Sequence, residues 1–93
     1  MAATYEWDEA KRRSNLSKHG VDFLSMHDFE WGGATVVQDL SHGEERWIAT
    51  GFIGIRLCVA VFTEPEKNRI RVISLRKASA HEERMYVEFF GRG

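Results

Sequence analysis

One cysteine, Cys58, and one proline, Pro65, stand in a chain of 93 residues. A lone cysteine cannot close an intrachain disulfide or furnish a cysteine-rich zinc site, so a secreted disulfide scaffold is excluded. No apolar run reaches the length of a transmembrane helix. The opening Met1-Ala2-Ala3-Thr4-Tyr5-Glu6-Trp7-Asp8 carries acids early and has no apolar stretch, which excludes a signal peptide. These absences predict a soluble cytoplasmic protein with no membrane partner. There is no repeat, no low-complexity tract and no Ser-, Gly- or Pro-rich linker, so residues 1–93 read as a single domain. The four histidines, at positions 19, 27, 42 and 81, make no HxxxH or HExxH pair, and no glycine pattern resembles a phosphate-binding loop. No metal or other cofactor is expected.

What the chain does have is globular composition, 43% hydrophobic and 29% charged, with three Trp, six Phe and two Tyr to fill a small core. The net charge of −1 is unevenly spread. Residues 1–46 hold nine acids and five bases, whereas residues 47–93 hold five acids and eight bases. Between Lys67 and Lys77 there are five bases (Lys67, Arg69, Arg71, Arg76, Lys77) and no acid. Such a strip steers a phosphate polymer or an acidic partner; the plainer reading is a solvated strand with snorkelling side chains.

The periodicity predicts two helices, four strands and a last helix. Asp8 is a good N-cap for a polar surface helix over 9–18, and Gly20, after Lys18-His19, is a stop. Residues 21–31 read as a second short helix capped by Asp22 and ended by Gly32-Gly33. Residues 35–38 and 44–52 read as strands, with a tight connection at Phe52-Ile53 between Gly51 and Gly54. Residues 55–63 are apolar on both faces, which predicts a central strand covered on both sides. A loop over Glu64–Asn68 leads to a strand over 69–75, paired antiparallel to it. Ser79-Ala80-His81-Glu82 is a capping box opening a helix to about Phe89, with Glu82, Met85, Tyr86 and Phe89 on one face. The class is α+β, with N-terminal helices and a C-terminal helix on a small antiparallel sheet of about four strands.

Three charged clusters carry candidate chemistry. Lys11, Asn15 and Lys18 share one helix face beside His19, which suits a phosphate or, more plainly, a solvated surface. Arg76-Lys77 precedes the Ser79 cap, where a helix N-terminus and a guanidinium suit a phosphate or developing oxyanion; the alternative is a basic rim for a protein partner. His81, in the first turn of that helix, suits a neutral base. Glu44-Glu45-Arg46 opens a strand and reads otherwise as an exposed edge. Cys58 reads as a small core hydrophobe.

These clusters coincide with a family pattern. Tyr5-Glu6-Trp7-Asp8-Glu9-Ala10-Lys11, Asn15 and Lys18-His19-Gly20-Val21-Asp22-Phe23 resemble the "F-x-W-D-x-x-K…N-x-x-K-H-G-V-x-F" signature of the BrnT family of type II toxins. Glu44-Glu45-Arg46 and Gly51 are similar to its central strand, as are Val59-Ala60-Val61-Phe62-Thr63. Arg69-Ile70-Arg71-Val72-Ile73-Ser74-Leu75-Arg76-Lys77-Ala78 is similar to its "I-R-I-I-S-A-R-K-A", with Glu83 and Tyr86 following. The resemblance spans about residues 5–87. Leu75 departs from the usual Ala, and His81 and Glu82 stand where the family often has bases.

The resemblance implies a RelE-like fold and a ribonuclease toxin whose catalytic residues are charged side chains rather than metal ligands. It also implies neutralisation by a cognate ribbon-helix-helix antitoxin, with DNA met only through the antitoxin complex. The expected reaction uses the RNA 2′-hydroxyl as nucleophile. Arg76 and Lys77 are expected to stabilise the phosphate, with support from Arg46 and Lys11, and His19 to transfer the proton. Glu45 or His81 is the fallback base. Lys11, Lys18, Arg69, Arg71 and His81 are expected along the RNA. A second expectation is an inactive or weak member that binds the antitoxin, with Trp31, Trp47 and Phe52 as partner surface. A third is nucleic-acid binding without catalysis.

Overall fold

The computed structural model describes residues 3–91. A five-stranded sheet, in the order β1-β5-β4-β3-β2, is built from β1 (Thr4–Glu6), β2 (Thr35–Asp39), β3 (Arg46–Ile53), β4 (Arg56–Glu66) and β5 (Arg69–Lys77). The two α-helices are α1 (Glu9–His19) and α2 (Ala80–Gly91). The α+β expectation therefore holds, with one strand more than expected. β1 is the addition, and it pairs parallel to β5 while all other pairings are antiparallel. Three residues of mixed polarity, Thr4-Tyr5-Glu6, are too short to show strand periodicity in the sequence. Among the described residues no helix is long and apolar enough to cross a membrane.

Capping follows the sequence closely. Asp8 accepts from the Lys11 amide, and Gly20 ends α1 in the left-handed region at φ 72°. At α2 the Ser79 amide donates to Glu82 Oε1 (2.8 Å) and the Glu82 amide to Ser79 Oγ (3.1 Å), a reciprocal capping box.

The expected helix over 21–31 is instead two 3-10 segments, Phe23–Asp28 and Trp31–Gly33. Asp22 caps the first as expected. Phe23 and Met26, three residues apart, fall on one side of a 3-10 turn, and both are fully buried. The chain then leaves the helix because its backbone is claimed by β3. Phe29 bridges to Ile53, and the Glu30 amide donates to the Phe52 carbonyl.

The turns differ from expectation as well. Phe52 and Ile53 belong to β3, and the hairpin turns at Gly54-Ile55, with Gly54 at φ 63°. The expected loop over 64–68 shrinks to Lys67-Asn68, because β4 runs on to Glu66 and pairs it with Arg69. Asn68 tolerates the left-handed φ of 66° that this closure needs.

Directly opposed residues share a sheet face. One face carries Ala49, Cys58, Ala60, Phe62, Val72 and Leu75 and packs on Val21, Phe23, Met26 and Phe29. Cys58 is buried there, and burial pushes its thiol pKa up, consistent with a core role. Trp31 and Trp47 also pack against this core and are partly buried; Phe52 is half-exposed and meets Tyr86 edge-on. The opposite face carries Ile48, Thr50, Val59, Val61, Ser74 and Arg76. α2 lies at one end of that face. Val59 and Leu57 are buried, which fulfils the expectation of a central strand covered on both sides.

Candidate active site

The N-terminal helix packs along the basic strand. α1 runs in the same direction as β5. Lys11 lines a cleft of about 330 Å³ with Arg71, Val72 and Ile73, and one turn later Asn15 bonds the backbone of Leu75. His19 lies one helical turn beyond Asn15, at the C-terminal end of α1. His19 is half-buried there.

Asn15 itself is not a phosphate ligand on an open face. It is buried, and its amide donates to the carbonyls of Leu75 (2.7 Å) and Val21 (3.1 Å) while its carbonyl accepts from the Leu75 amide (3.2 Å). Lys18 remains exposed on the same helix.

The basic strip, acid-free in sequence, meets carboxylates in space. Glu6, brought alongside by β1, sits between Arg69 and Arg71. Its Oε1 is 3.1 Å from Arg69 Nε, and its Oε2 accepts from Arg71 Nε at 2.7 Å. Glu66 lies 3.6 Å from Arg69. Glu82 takes Arg76 in a two-point grip, Nη1 to Oε1 at 2.7 Å and Nη2 to Oε2 at 2.8 Å. The grip holds the Glu82 carboxyl down at about 2, chiefly through the Arg76 hydrogen bond, against the opposing effect of burial. The same contact raises the Arg76 pKa. Nothing in the sequence marks this pair, because a pairing across six residues of strand end and turn has no periodic signature.

Arg76 and Lys77 do not face the same way. Arg76 is opposite Val59 and Lys77 opposite Cys58, so they start from opposite faces of the sheet. Lys77 is exposed at the strand end and lines a cleft of about 420 Å³ with Arg56, Phe52, Glu83 and Tyr86. Among the described residues neither Lys77 nor Arg56 forms an ion pair.

Arg46 shares the face of Arg76 but stands four residues along β3 from Thr50, whose row contains Val59 and Arg76. That is about 13 Å along the strand direction. Arg46 is held by Glu44 at 2.7 Å, and Glu45 is exposed just ahead of β3. Neither joins Arg76. His81 is exposed beside Glu82 in the first turn of α2. It lines a largely apolar groove of about 660 Å³ between α2 and β2, together with Val36, Val37, Met85, Tyr86 and Phe89. The Tyr86 hydroxyl anchors α2 by donating to the Gly33 carbonyl.

The sequence profile of the family described as "Ribonuclease toxin, BrnT, of type II toxin-antitoxin system" matches residues 7–82. The chain belongs to the BrnT family. Its fold is similar to the 1.1 Å crystal structure of the Brucella abortus ribonuclease toxin BrnT. The TM-score is 0.69 at 31% identity, covering 84% of this chain and 99% of that one. No curated protein matches the chain. The BrnT profile takes in α1, the whole of β5 and the Arg76–Glu82 pair, and it stops before Met85, Tyr86, Val87, Phe89 and Phe90 of α2.

Proposed function

We propose that this BrnT-family toxin is an endoribonuclease that cuts RNA by attack of its own 2′-hydroxyl, with no metal required. A base removes the 2′-hydroxyl proton, the 2′-oxygen attacks the adjacent phosphorus, and the 5′-oxygen leaves with a proton from an acid. The products are a 2′,3′-cyclic phosphate and a 5′-hydroxyl, and DNA is inert because it lacks the nucleophile. His19 transfers the proton, and Arg76 bears the charge that builds on the phosphate, with Lys77 assisting from the exposed strand end, which it leaves from the other face. His81, beside Glu82, is nearer to Arg76 than Glu45 is and serves better as the second proton-transfer group. Lys11, Lys18, Arg69 and Arg71 lie along the α1–β5 side as the track for the flanking RNA.

The observation that carries this reading is the run of α1 along β5, with Lys11 beside Arg71–Ile73 and Asn15 bonded to Leu75 inside the family-matched region; extended by one helical turn, it supports assigning His19 to the Arg76–Lys77 end. Analysis of cleaved ends tests the chemistry. Ends that resist 3′ extension until the cyclic phosphate is opened and the remaining phosphate removed support it, and 5′-phosphate ends overturn it.

A second reading is a toxin of low catalytic power whose surviving role is to bind a ribbon-helix-helix antitoxin, with DNA reached only through that complex. The ion pairing of Arg69, Arg71 and Arg76 by Glu6 and Glu82 favours it, since each pair weakens the hold on RNA. Tight antitoxin binding with every RNA left intact distinguishes it from the first.

A further inference from the structure

Glu82 is bound to two things at once. Both its oxygens are in the guanidinium fork of Arg76, and Oε1 also accepts from the Ser79 amide that opens α2. A carboxylate in the fork of an arginine presents the same paired oxygens as a phosphodiester. The two ligands use the same donors on Nη1 and Nη2 and cannot occupy them together. The pair is neither deeply buried nor fully exposed, with side-chain exposures of 38% for Arg76 and 31% for Glu82. It is therefore strong enough to compete and open enough to be displaced.

We propose that Glu82 is an internal competitor for the phosphate site, an autoinhibitory contact that RNA must displace from Arg76 before that arginine can act. The inference rests on the reading of Arg76 as the phosphate-binding group. Displacement has a structural consequence, because the carboxylate that leaves Arg76 is also the N3 partner of the capping box. RNA binding then loosens the first turn of α2, a helix with no buried residue and held by few other contacts, Tyr86 to Gly33 among them. Glu82 is thus not a catalytic residue; it sets how much Arg76 is available.

The test separates competition from a merely structural role by the opposite signs it predicts. Binding of a 2′-O-methyl RNA, which cannot be cut, is measured by fluorescence anisotropy alongside thermal melting. The proteins are wild type, Glu82→Gln, Arg76→Gln and the double variant. Gln keeps the shape and can still accept from the Ser79 amide, so the fold is retained; Glu82→Asp serves as a second variant that keeps the charge but, one methylene shorter, falls short of the Arg76 fork. Glu82→Gln is expected to bind about three- to tenfold more tightly while melting at lower temperature. Arg76→Gln is expected to bind more weakly, and adding Glu82→Gln to it to restore little. Tighter binding that persists undiminished in the Arg76→Gln background reflects net charge alone and overturns the competition. Unchanged or weaker binding by both Glu82 variants, with Arg76→Gln still impaired, overturns the competition but leaves the phosphate role standing. Wild-type binding by Arg76→Gln overturns both.

Discussion

Asn15 occupies the place of a neighbouring strand for Leu75. β1 pairs with β5 only over Arg69–Arg71, so beyond that point the outer edge of β5 has no strand beside it. The side-chain amide of Asn15 then donates to the Leu75 carbonyl and accepts from the Leu75 amide, satisfying both groups from a helix. This contact fixes the register between α1 and β5. Replacing Asn15 by Ala removes the side-chain partner of three backbone groups, the Leu75 amide and carbonyl and the Val21 carbonyl. The expected loss is about 2–4 kcal/mol, read as a lower urea midpoint with an unchanged slope. A loss below about 0.5 kcal/mol contradicts the role.

Gly51 is required for space rather than for backbone freedom. A Cβ there comes within 2.8 Å of Phe29 Cζ and 3.0 Å of the Ala34 Cβ. Phe29 is bridged through its backbone to β3 and cannot retreat without breaking that contact. Gly51→Ala is expected to cost about 1–3 kcal/mol in chemical denaturation, with the ring of Phe29 displaced.

The pH dependence of stability carries the signature of Glu82. Its folded pKa is depressed from the ordinary 4.5 to about 2. The stabilisation is therefore present above the unfolded value and is lost as pH falls from about 4.5 toward 2. Glu9 and Asp39 are also lowered, by Arg12 and by Ser41 respectively, and contribute in the same direction. Denaturation midpoints measured from pH 6 down to pH 2.5 should fall less steeply in Glu82→Gln than in wild type. Parallel curves contradict the assignment.

The candidate cations divide in space, and their variants should divide in effect. Arg46, about 13 Å along the sheet from the Arg76 row, is expected to change cleavage less than threefold when replaced by Ala. Arg76→Ala is expected to reduce it by about a hundredfold or more. Rates from one RNA substrate under single-turnover conditions make the comparison. Equal losses would place both arginines in one site and contradict the separation by strand register.

Much of this was legible in the sequence because the signals were local. Asp8, Asp22, Gly20 and the Ser79–Glu82 box each announce a helix terminus through chemistry confined to a few residues, and all four appear in the fold. β4 declared itself by apolar residues on both faces. What stayed hidden depended on partners distant in the chain. β1 exists because β5 offers it an edge, and its Glu6 neutralises two arginines 63 and 65 positions away. The helix expected over 21–31 yields to β3, which claims the backbone of Phe29 and Glu30. Asn15 shared its helical spacing with Lys11 and Lys18, and spacing alone cannot separate a ligand from a buried strand substitute. The two faces of Arg76 and Lys77 follow from strand alternation, yet the strand's exact register was needed to say which face was which.

The measurement that bears most directly on the ribonuclease assignment is cleavage of a mixed-sequence RNA by the purified protein in EDTA, with matched DNA and Arg76→Ala alongside. The account predicts RNA cut in EDTA, DNA intact and the variant inactive at a protein concentration where wild type is complete. RNA left whole in EDTA but cut when a divalent metal is supplied, or Arg76→Ala cutting at the wild-type rate, contradicts it.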